Sequence, residues 1–512
     1  MKASKVWGFL SGGRWGVLLL AAGLSLSCGD DGSPSGSDAV AGAGGAGDQA
    51  GASGAGGEPA GGADSSTDPQ PHIDIEGTWL GTVDVPPAPL RIVVNIERGP
   101  ANSWVGMADS PNEGVLGIPI TRIDVSGRRV VVHIESLGLV LSLTLSRDSQ
   151  TLSGTIEQGG ESLPLSMERQ VGPLDYRRPQ DPVPPFPYDE ANVSFPSEEA
   201  GVNLAGTLTW PRGPGPFKTV VLITGSGPQN RNEELLNHRP FLVLTDALAR
   251  ANIAVLRYDD RGVGESTGDF EAATTFDFVA DARGAVRYLR SQTEFEVGQI
   301  GLVGHSEGGL IAPLAAEGTP DVGFLVLLAG PGVDGRTVLV SQSRAIGAAN
   351  GANAAELDAR EALEQDLYDC FGDATDALSP LDTCLREQLE NAGVAGEELA
   401  STLARLETPW MRQFVVYDPA PVLRRTQLPV LALNGSLDLQ VLASLNVPAL
   451  EQAFREGGNA NTAVEELPGL NHLFQHASTG SPEEYGTIHE TMAQEVLTKI
   501  GDWIERVPPT AP

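Results

Sequence analysis

Ile300-Gly301-Leu302-Val303-Gly304-His305-Ser306-Glu307-Gly308-Gly309-Leu310 decides how the rest of the chain is read. Ile300–Val303 is a short continuous apolar run, the mark of a strand buried on both faces, and helix formers resume near Leu310. Between them stands a serine with a glycine two places before it and another two places after. A serine lifted from a strand end on a sharp, strained turn needs small neighbours there, because anything larger crowds the turn. The helix N-terminus that follows also favours negative charge developing beside it. The pentapeptide alone is a weak signal in a chain with 62 glycines. Between a buried strand and a helix, Ser306 reads as a nucleophile rather than as part of a plain tight turn.

A serine hydroxyl attacks only when a base removes its proton, so a histidine and an orienting carboxylate should follow. In sheets of this kind the chain order is serine, acid, histidine. Leu428–Leu433 reads as a strand and Asn434-Gly435-Ser436-Leu437-Asp438 as the turn leaving it, which makes Asp438 the candidate acid. Its plainer alternative is a turn residue or helix cap. Of the 7 histidines, only His472, His476 and His489 lie beyond Asp438. His472 follows an expected last strand, Ala463–Leu467, and is the candidate base; His476 is the runner-up, and His489 falls in an expected final helix. An oxyanion needs two backbone N–H donors. Glu307 supplies one as the residue after the serine, and the loop Thr224-Gly225-Ser226-Gly227-Pro228 the other. Ser226 is the expected donor there, with Gly227 as alternative, because glycine lets that backbone approach a substrate closely. Tyr258-Asp259-Asp260-Arg261-Gly262-Val263-Gly264-Glu265-Ser266 carries enough charge for a substrate clamp, but reads more simply as a loop shaped by Asp–Arg bonds.

Working outward, continuous apolar strands at Thr219–Ile223, Ile253–Tyr258, Phe324–Leu328 and Val430–Leu433 alternate with helical stretches such as Phe276–Ser291. That is the pattern of a doubly wound, mostly parallel α/β sheet over residues 189–512. From about 333 to 425 the strands stop and helix formers dominate, notably Ala354–Tyr368 and Leu385–Leu406, which predicts a helical cap over the strand ends. Residues 172–188 are proline-rich and form a stiff connector. Residues 73–171 hold short period-two runs at Gly77–Val83, Arg91–Glu97, Val130–Ser136, Leu139–Ser146, Leu152–Glu157 and Leu163–Glu168. They predict a small antiparallel all-β accessory domain, barrel or sandwich. Asp109 and His133 lie within it and read as structural.

Residues 29–72 are dominated by Gly, Ala, Ser and Asp without apolar periodicity, the composition of a disordered tether. Residues 1–28 read as an export signal: Lys2, Lys5 and Arg14, then an apolar stretch broken by Gly16 and Gly23. Leu24-Ser25-Leu26-Ser27-Cys28 is similar to a bacterial lipobox, although Ser25 stands where leucine is preferred. The expectation is a chain lipid-anchored at Cys28 to the cell envelope, on the periplasmic side or at the cell surface; an ordinary cleaved signal is the alternative. Of 3 cysteines, lipidation of Cys28 leaves Cys370 and Cys384, a disulfide candidate in an exported protein, with two free thiols as the alternative. Lys plus Arg is 33 against 67 for Asp plus Glu, a net charge of -34 that argues against nucleic-acid binding.

Together these residues resemble the bacterial α/β-hydrolases of the carboxylesterase kind. Ile223-Thr224-Gly225-Ser226-Gly227-Pro228-Gln229-Asn230-Arg231 is similar to that family's oxyanion loop, Arg257–Ser266 to its Asp-x-Arg-Gly-x-Gly-x-Ser block, and Gly304–Gly309 to its nucleophile turn. Pro409-Trp410, Tyr417-Asp418-Pro419, Pro429–Val441 and Leu470-Asn471-His472-Leu473-Phe474-Gln475 follow in family order, so the similarity spans Asn192–Ile504. Relatives often carry an N-terminal β domain as well. Asn230 departs from the family, which usually has an acid there. The resemblance implies a triad of Ser306, Asp438 and His472, no metal or organic cofactor, and short acyl esters as small-molecule substrates. A peptidase or amidase on the same scaffold is the second reading. It would need cap acids facing the site; Glu361, Glu364, Asp366 and Asp369 are there, but a solvated helix face explains them more simply. The third is a non-catalytic surface binding protein.

Overall fold

The computed structural model describes residues 73–508 apart from 85–89, 101–102, 112–114, 173, 175 and 373–377. The signal, Cys28 and the tether fall outside the described residues.

Nine strands come first: β1 (Gly77–Val83), β2 (Leu90–Arg98), β3 (Trp104–Ser110), β4 (Val115–Pro119), β5 (Arg122–Ser126), β6 (Arg129–Ile134), β7 (Leu139–Leu145), β8 (Thr151–Gln158) and β9 (Glu161–Arg169). They form one antiparallel sheet in the order β4-β3-β2-β1-β9-β8-β7-β6-β5. Its two edge strands are joined by Ile120 and Thr121, whose N–H groups bond to Gly106 O and His133 O at 3.0 and 2.8 Å. The link bridges both ends of the meander and curls it into a barrel. Alternation explains the interior: Leu139, Leu141, Leu143 and Leu145 of β7 are buried, while Ser142 and Thr144 between them are not. β3, β4 and β5 escaped the sequence reading because their alternation is poor; Val105, Met107 and Leu116 put apolar side chains on the outside.

Eight further strands build the second sheet: β10 (Tyr188–Pro196), β11 (Asn203–Pro211), β12 (Phe217–Ile223), β13 (Ala254–Tyr258), β14 (Val297–His305), β15 (Val322–Leu328), β16 (Val430–Gly435) and β17 (Thr462–Leu467). The order is β10-β11-β13-β12-β14-β15-β16-β17. β11 pairs antiparallel with both β10 and β13, and the strands from β13 to β17 pair parallel. The first two were not anticipated: they form an edge hairpin, and β10 buries only its ends, Tyr188 and Phe195.

The helices are α1 (Pro240–Arg250), α2 (Thr275–Ser291), α3 (Gly308–Ala316), α4 (Gly335–Ala349), α5 (Ala354–Asp369), α6 (Leu378–Asn391), α7 (Gly396–Leu406), α8 (Pro409–Phe414), α9 (Ala420–Arg425), α10 (Ala443–Glu456) and α11 (Gln494–Arg506). α2, α3 and α10 pack on one face of the parallel strands, α1 and α11 on the other. That double cover is why β15 is buried at every position. α4 to α9 lie between β15 and β16 as the helical insertion, and a Cys370–Cys384 disulfide clips the end of α5 to α6. The stretch of helix formers over Leu385–Leu406 is divided between α6 and α7, because Gly393 and Gly396 sit at φ +88° and +63°, where a right-handed helix cannot continue. His489 is in the bend before α11 rather than inside the last helix.

Candidate active site

Ser306 leaves β14 at φ +53°, a left-handed conformation that costs a non-glycine residue about 1–2 kcal/mol. Its N–H bonds to Leu328 O of β15 at 2.8 Å. The flanking glycines are demanded by space. A Cβ at Gly304 would lie 1.9 Å from Gly308 O, and one at Gly308 would lie 2.2 Å from Ile223 O.

Asp438, fully buried in the turn after β16, receives the N–H groups of Gln440 and Val441 at 2.8 Å each and Asn434 Nδ2 at 3.1 Å. Surrounded by donors, its carboxylate accepts from His472 Nδ1 at 2.8 Å. That bond puts the imidazole proton on Nδ1 and leaves the Nε2 lone pair free to take another. The loop carrying His472 is itself held: Asn471 Oδ1 receives the N–H groups of Leu473 and Gln475 at 3.0 and 2.9 Å. His476 instead faces solvent, bonded to Glu490 at 2.8 Å and near Glu495 at 3.0 Å, and lines no part of the site.

Ser306 and His472 line one cavity of about 100 Å3, together with Ser226 and Glu307. Its apolar walls include Leu339, Trp410 and Phe414 from the helical insertion and Leu235, Pro331 and Leu473 from the core. The loop after β12 approaches closely, a Cβ at Gly225 coming 3.1 Å from Ser306 Cβ. Gly225 N–H is committed to Glu233 Oε1 at 2.8 Å, so the donors this loop can offer begin at Ser226. Asp260 pins the loop at both ends, receiving Thr224 Oγ1 at 2.7 Å and Gln229 N–H at 2.9 Å. Burial holds the Asp260 carboxyl well above the usual carboxylate range despite those two bonds.

The charged block after β13 is structural, as its simpler reading had it. Asp259 is bound by Arg231 Nη2 at 2.6 Å, and Arg261 by Asp281 at 2.8 and 2.9 Å; none of the four lines the cavity. Asn230 accepts Asn232 N–H at 2.9 Å and is likewise outside it. Glu307 carries more than a backbone donor. Its buried side chain receives Thr275 Oγ1 at 2.6 Å and Trp410 Nε1 at 2.8 Å, tying the insertion to the nucleophile turn. Burial raises its carboxyl above the ordinary value, against both bonds, which disfavours a negative charge beside Ser306.

Among the cavity residues without a role in the sequence reading are His305 and Glu233. His305 stands beside the serine, yet nothing local marks it; its partners are 72 and 167 residues away. The cap acids also need a correction. Glu361 pairs with Arg344 and Asp369 with Arg336 at the surface, but Glu364 is buried against Ser343 of α4, not on a solvated face. None of these acids lines the cavity.

Esterase EstD of Thermotoga maritima is 23% identical over 384 residues, spanning 74% of this chain and 82% of that protein. Among solved structures, an esterase from Pyrococcus furiosus is 15% identical, with a TM-score of 0.39 over 62% of this chain and 92% of that one. A proline iminopeptidase from Mycobacterium smegmatis is 17% identical, with a TM-score of 0.38 over 62% and 98%. A family profile described as the alpha/beta hydrolase family matches residues 220–485, more than half of the chain. With a mostly parallel sheet, helices on both faces and a serine on the turn after β14, the chain belongs to the alpha/beta hydrolase family.

Proposed function

We propose that the protein is a serine carboxylesterase that cleaves short-chain acyl esters. The observation that carries this is the 2.8 Å His472–Asp438 pair beside a cavity shared with Ser306 on its strained turn. Ser306 Oγ attacks the ester carbonyl carbon while His472 Nε2 takes the hydroxyl proton. The carbonyl oxygen gains the electron pair and is received by the N–H groups of Ser226 and Glu307. Collapse breaks the bond to the alcohol oxygen, which leaves with the proton from His472. Water then attacks the acyl-Ser306 ester with the same histidine as base, and the carboxylic acid departs. Asp438 holds the imidazole in the tautomer this sequence needs. A cavity of about 100 Å3 favours a short acyl group. Among the described residues, no acid of the insertion lines it to hold the free N-terminus of a peptide, which favours ester over peptide.

The test compares p-nitrophenyl acetate, butyrate and longer esters with aminoacyl p-nitroanilides. Hydrolysis falling with acyl length, and at least about 100-fold slower for anilides, is expected. A fluorophosphonate should label one serine, and peptide mapping should find it at Ser306. Anilide turnover close to ester turnover would overturn the ester assignment. We also propose that the chain works outside the cytoplasm, tethered through a lipid on Cys28; Cys28→Ser should move it from the membrane to the soluble fraction.

A further inference from the structure

We propose that His305 and Glu233 are positioning residues: a charged imidazolium–carboxylate pair that locks the oxyanion loop and the loop of the catalytic histidine to the nucleophile turn. His305 is the last residue of β14, directly before Ser306. Its ring is buried, 4.7 Å from the His472 ring between centroids. His305 Nε2 lies 2.9 Å from His472 O, and a carbonyl only accepts, so Nε2 carries a proton. Nδ1 lies 2.9 Å from Glu233 Oε1, the same oxygen that receives Gly225 N–H at 2.8 Å. Both partners of the ring are therefore acceptors. A neutral imidazole with an ionised Glu233 would satisfy only one of them; an imidazolium satisfies both.

The pair is costly in ways that a spacer would not need to be. Glu233 sits at φ +51°, and its Oε2 is buried with no hydrogen-bond partner. What it secures is one continuous path, from Gly225 N–H through Glu233 and His305 to the His472 carbonyl. The two loops that must stay in register with Ser306 are thus tied to the residue beside it. The titratable groups facing the ring are Glu233 on the loop after β12, His472 on the loop after β17 and Asp438 on the turn after β16; Asp260 is bonded to Thr224 and Gln229 of the loop after β12. Burial alone would drive the proton off. The Glu233 charge and its bond, the His472 carbonyl and Asp438 outweigh it and hold His305 protonated above the ordinary imidazole range.

Loss of that proton on the basic side leaves one bond unmade and two loops loosened. Its kinetic consequence rests on the esterase reading, but the proton itself can be observed without turnover. In 15N-histidine NMR of the Ser306→Ala protein at pH 8, His305 should show two protonated ring nitrogens. Adding His305→Phe should remove those signals, and adding Glu233→Gln, which keeps size, should leave one protonated nitrogen. In kinetics with p-nitrophenyl acetate, His305→Phe should lower kcat by about tenfold or more with KM within about threefold. Glu233→Gln should move the basic limb of the kcat profile to lower pH. A singly protonated His305 at pH 8 overturns the proposal. So does a loss of kcat by the same factor at every pH in Glu233→Gln, which is what a merely structural role predicts. If the wild-type protein cleaves no ester, the esterase reading falls, while the NMR result still decides the pair.

Discussion

Ser306 stores backbone strain for which its side chain is the only visible reason. Glycine relieves a left-handed position, by about 1 kcal/mol. Ser306→Gly should therefore abolish ester hydrolysis while raising Tm by a degree or more; a lower Tm would show that the hydroxyl, not the backbone, stabilises the turn. Glu364 makes the same point through charge. Burial pushes its carboxyl up from 4.5 to about 7, although Ser343 donates to it, and its Oε2 has no partner. Between those two values the folded state binds a proton that the unfolded chain has released, so what this group contributes to stability is fully present below pH 4.5 and is lost as pH rises through about 7. Glu364→Gln mimics the protonated form. Its Tm should exceed the wild-type value at pH 8, by an amount worth up to about 3 kcal/mol, and converge with it near pH 4. A Tm advantage that is the same at both pH values would remove ionisation as the cause.

At the scale of elements, the helical insertion has to keep Leu339, Trp410 and Phe414 over the cavity with only side-chain packing and a few bonds to the sheet. The Cys370–Cys384 disulfide closes a loop with a sequence separation of 14, which chain entropy values at about 3 kcal/mol. Reduction under native conditions, or Cys370→Ser with Cys384→Ser, should lower Tm and raise proteolytic cutting within α5 and α6, while ester turnover at low temperature persists. Unchanged protease sensitivity would mean that packing alone holds these helices. Elements with strong internal signals were legible in sequence, such as β15 with its seven buried apolar positions and α5 with an Asn353–Glu356 capping box. β3, β4, β10 and β11 were not, because edge and barrel strands take their pairing from neighbours rather than from alternation of their own.

Across the whole molecule, the proline-rich connector proves to be a brace. Buried Arg178 donates to Leu236 O and Gly486 O at 2.8 Å each and to Ile488 O at 2.9 Å. Gln180 bonds to Met492 O at 2.7 Å, and Tyr176 reaches back to Asp109 of the barrel at 2.8 Å. The segment held by Arg178 carries Tyr485, whose hydroxyl receives Gln440 Nε2 at 3.1 Å, two residues from Asp438. Arg178→Met leaves three carbonyls, that of buried Gly486 among them, without their donor and should cost about 2–4 kcal/mol. Hydrogen exchange should accelerate over residues 482–492 before anywhere else. Exchange that accelerates evenly along the chain would argue that Arg178 supports the fold at large and not this segment.

By itself, the sequence determined the alternation of buried strands and helices, the serine on its turn, and the order of Asp438 and His472 after it. Those are local matters of composition, period and spacing, which a chain displays before it folds. Only the tertiary structure decided what His305, Glu233, Glu364 and Arg178 do. Each is a polar group taken out of water, and its role is set by whichever distant atoms fold against it to satisfy or strand its hydrogen bonds.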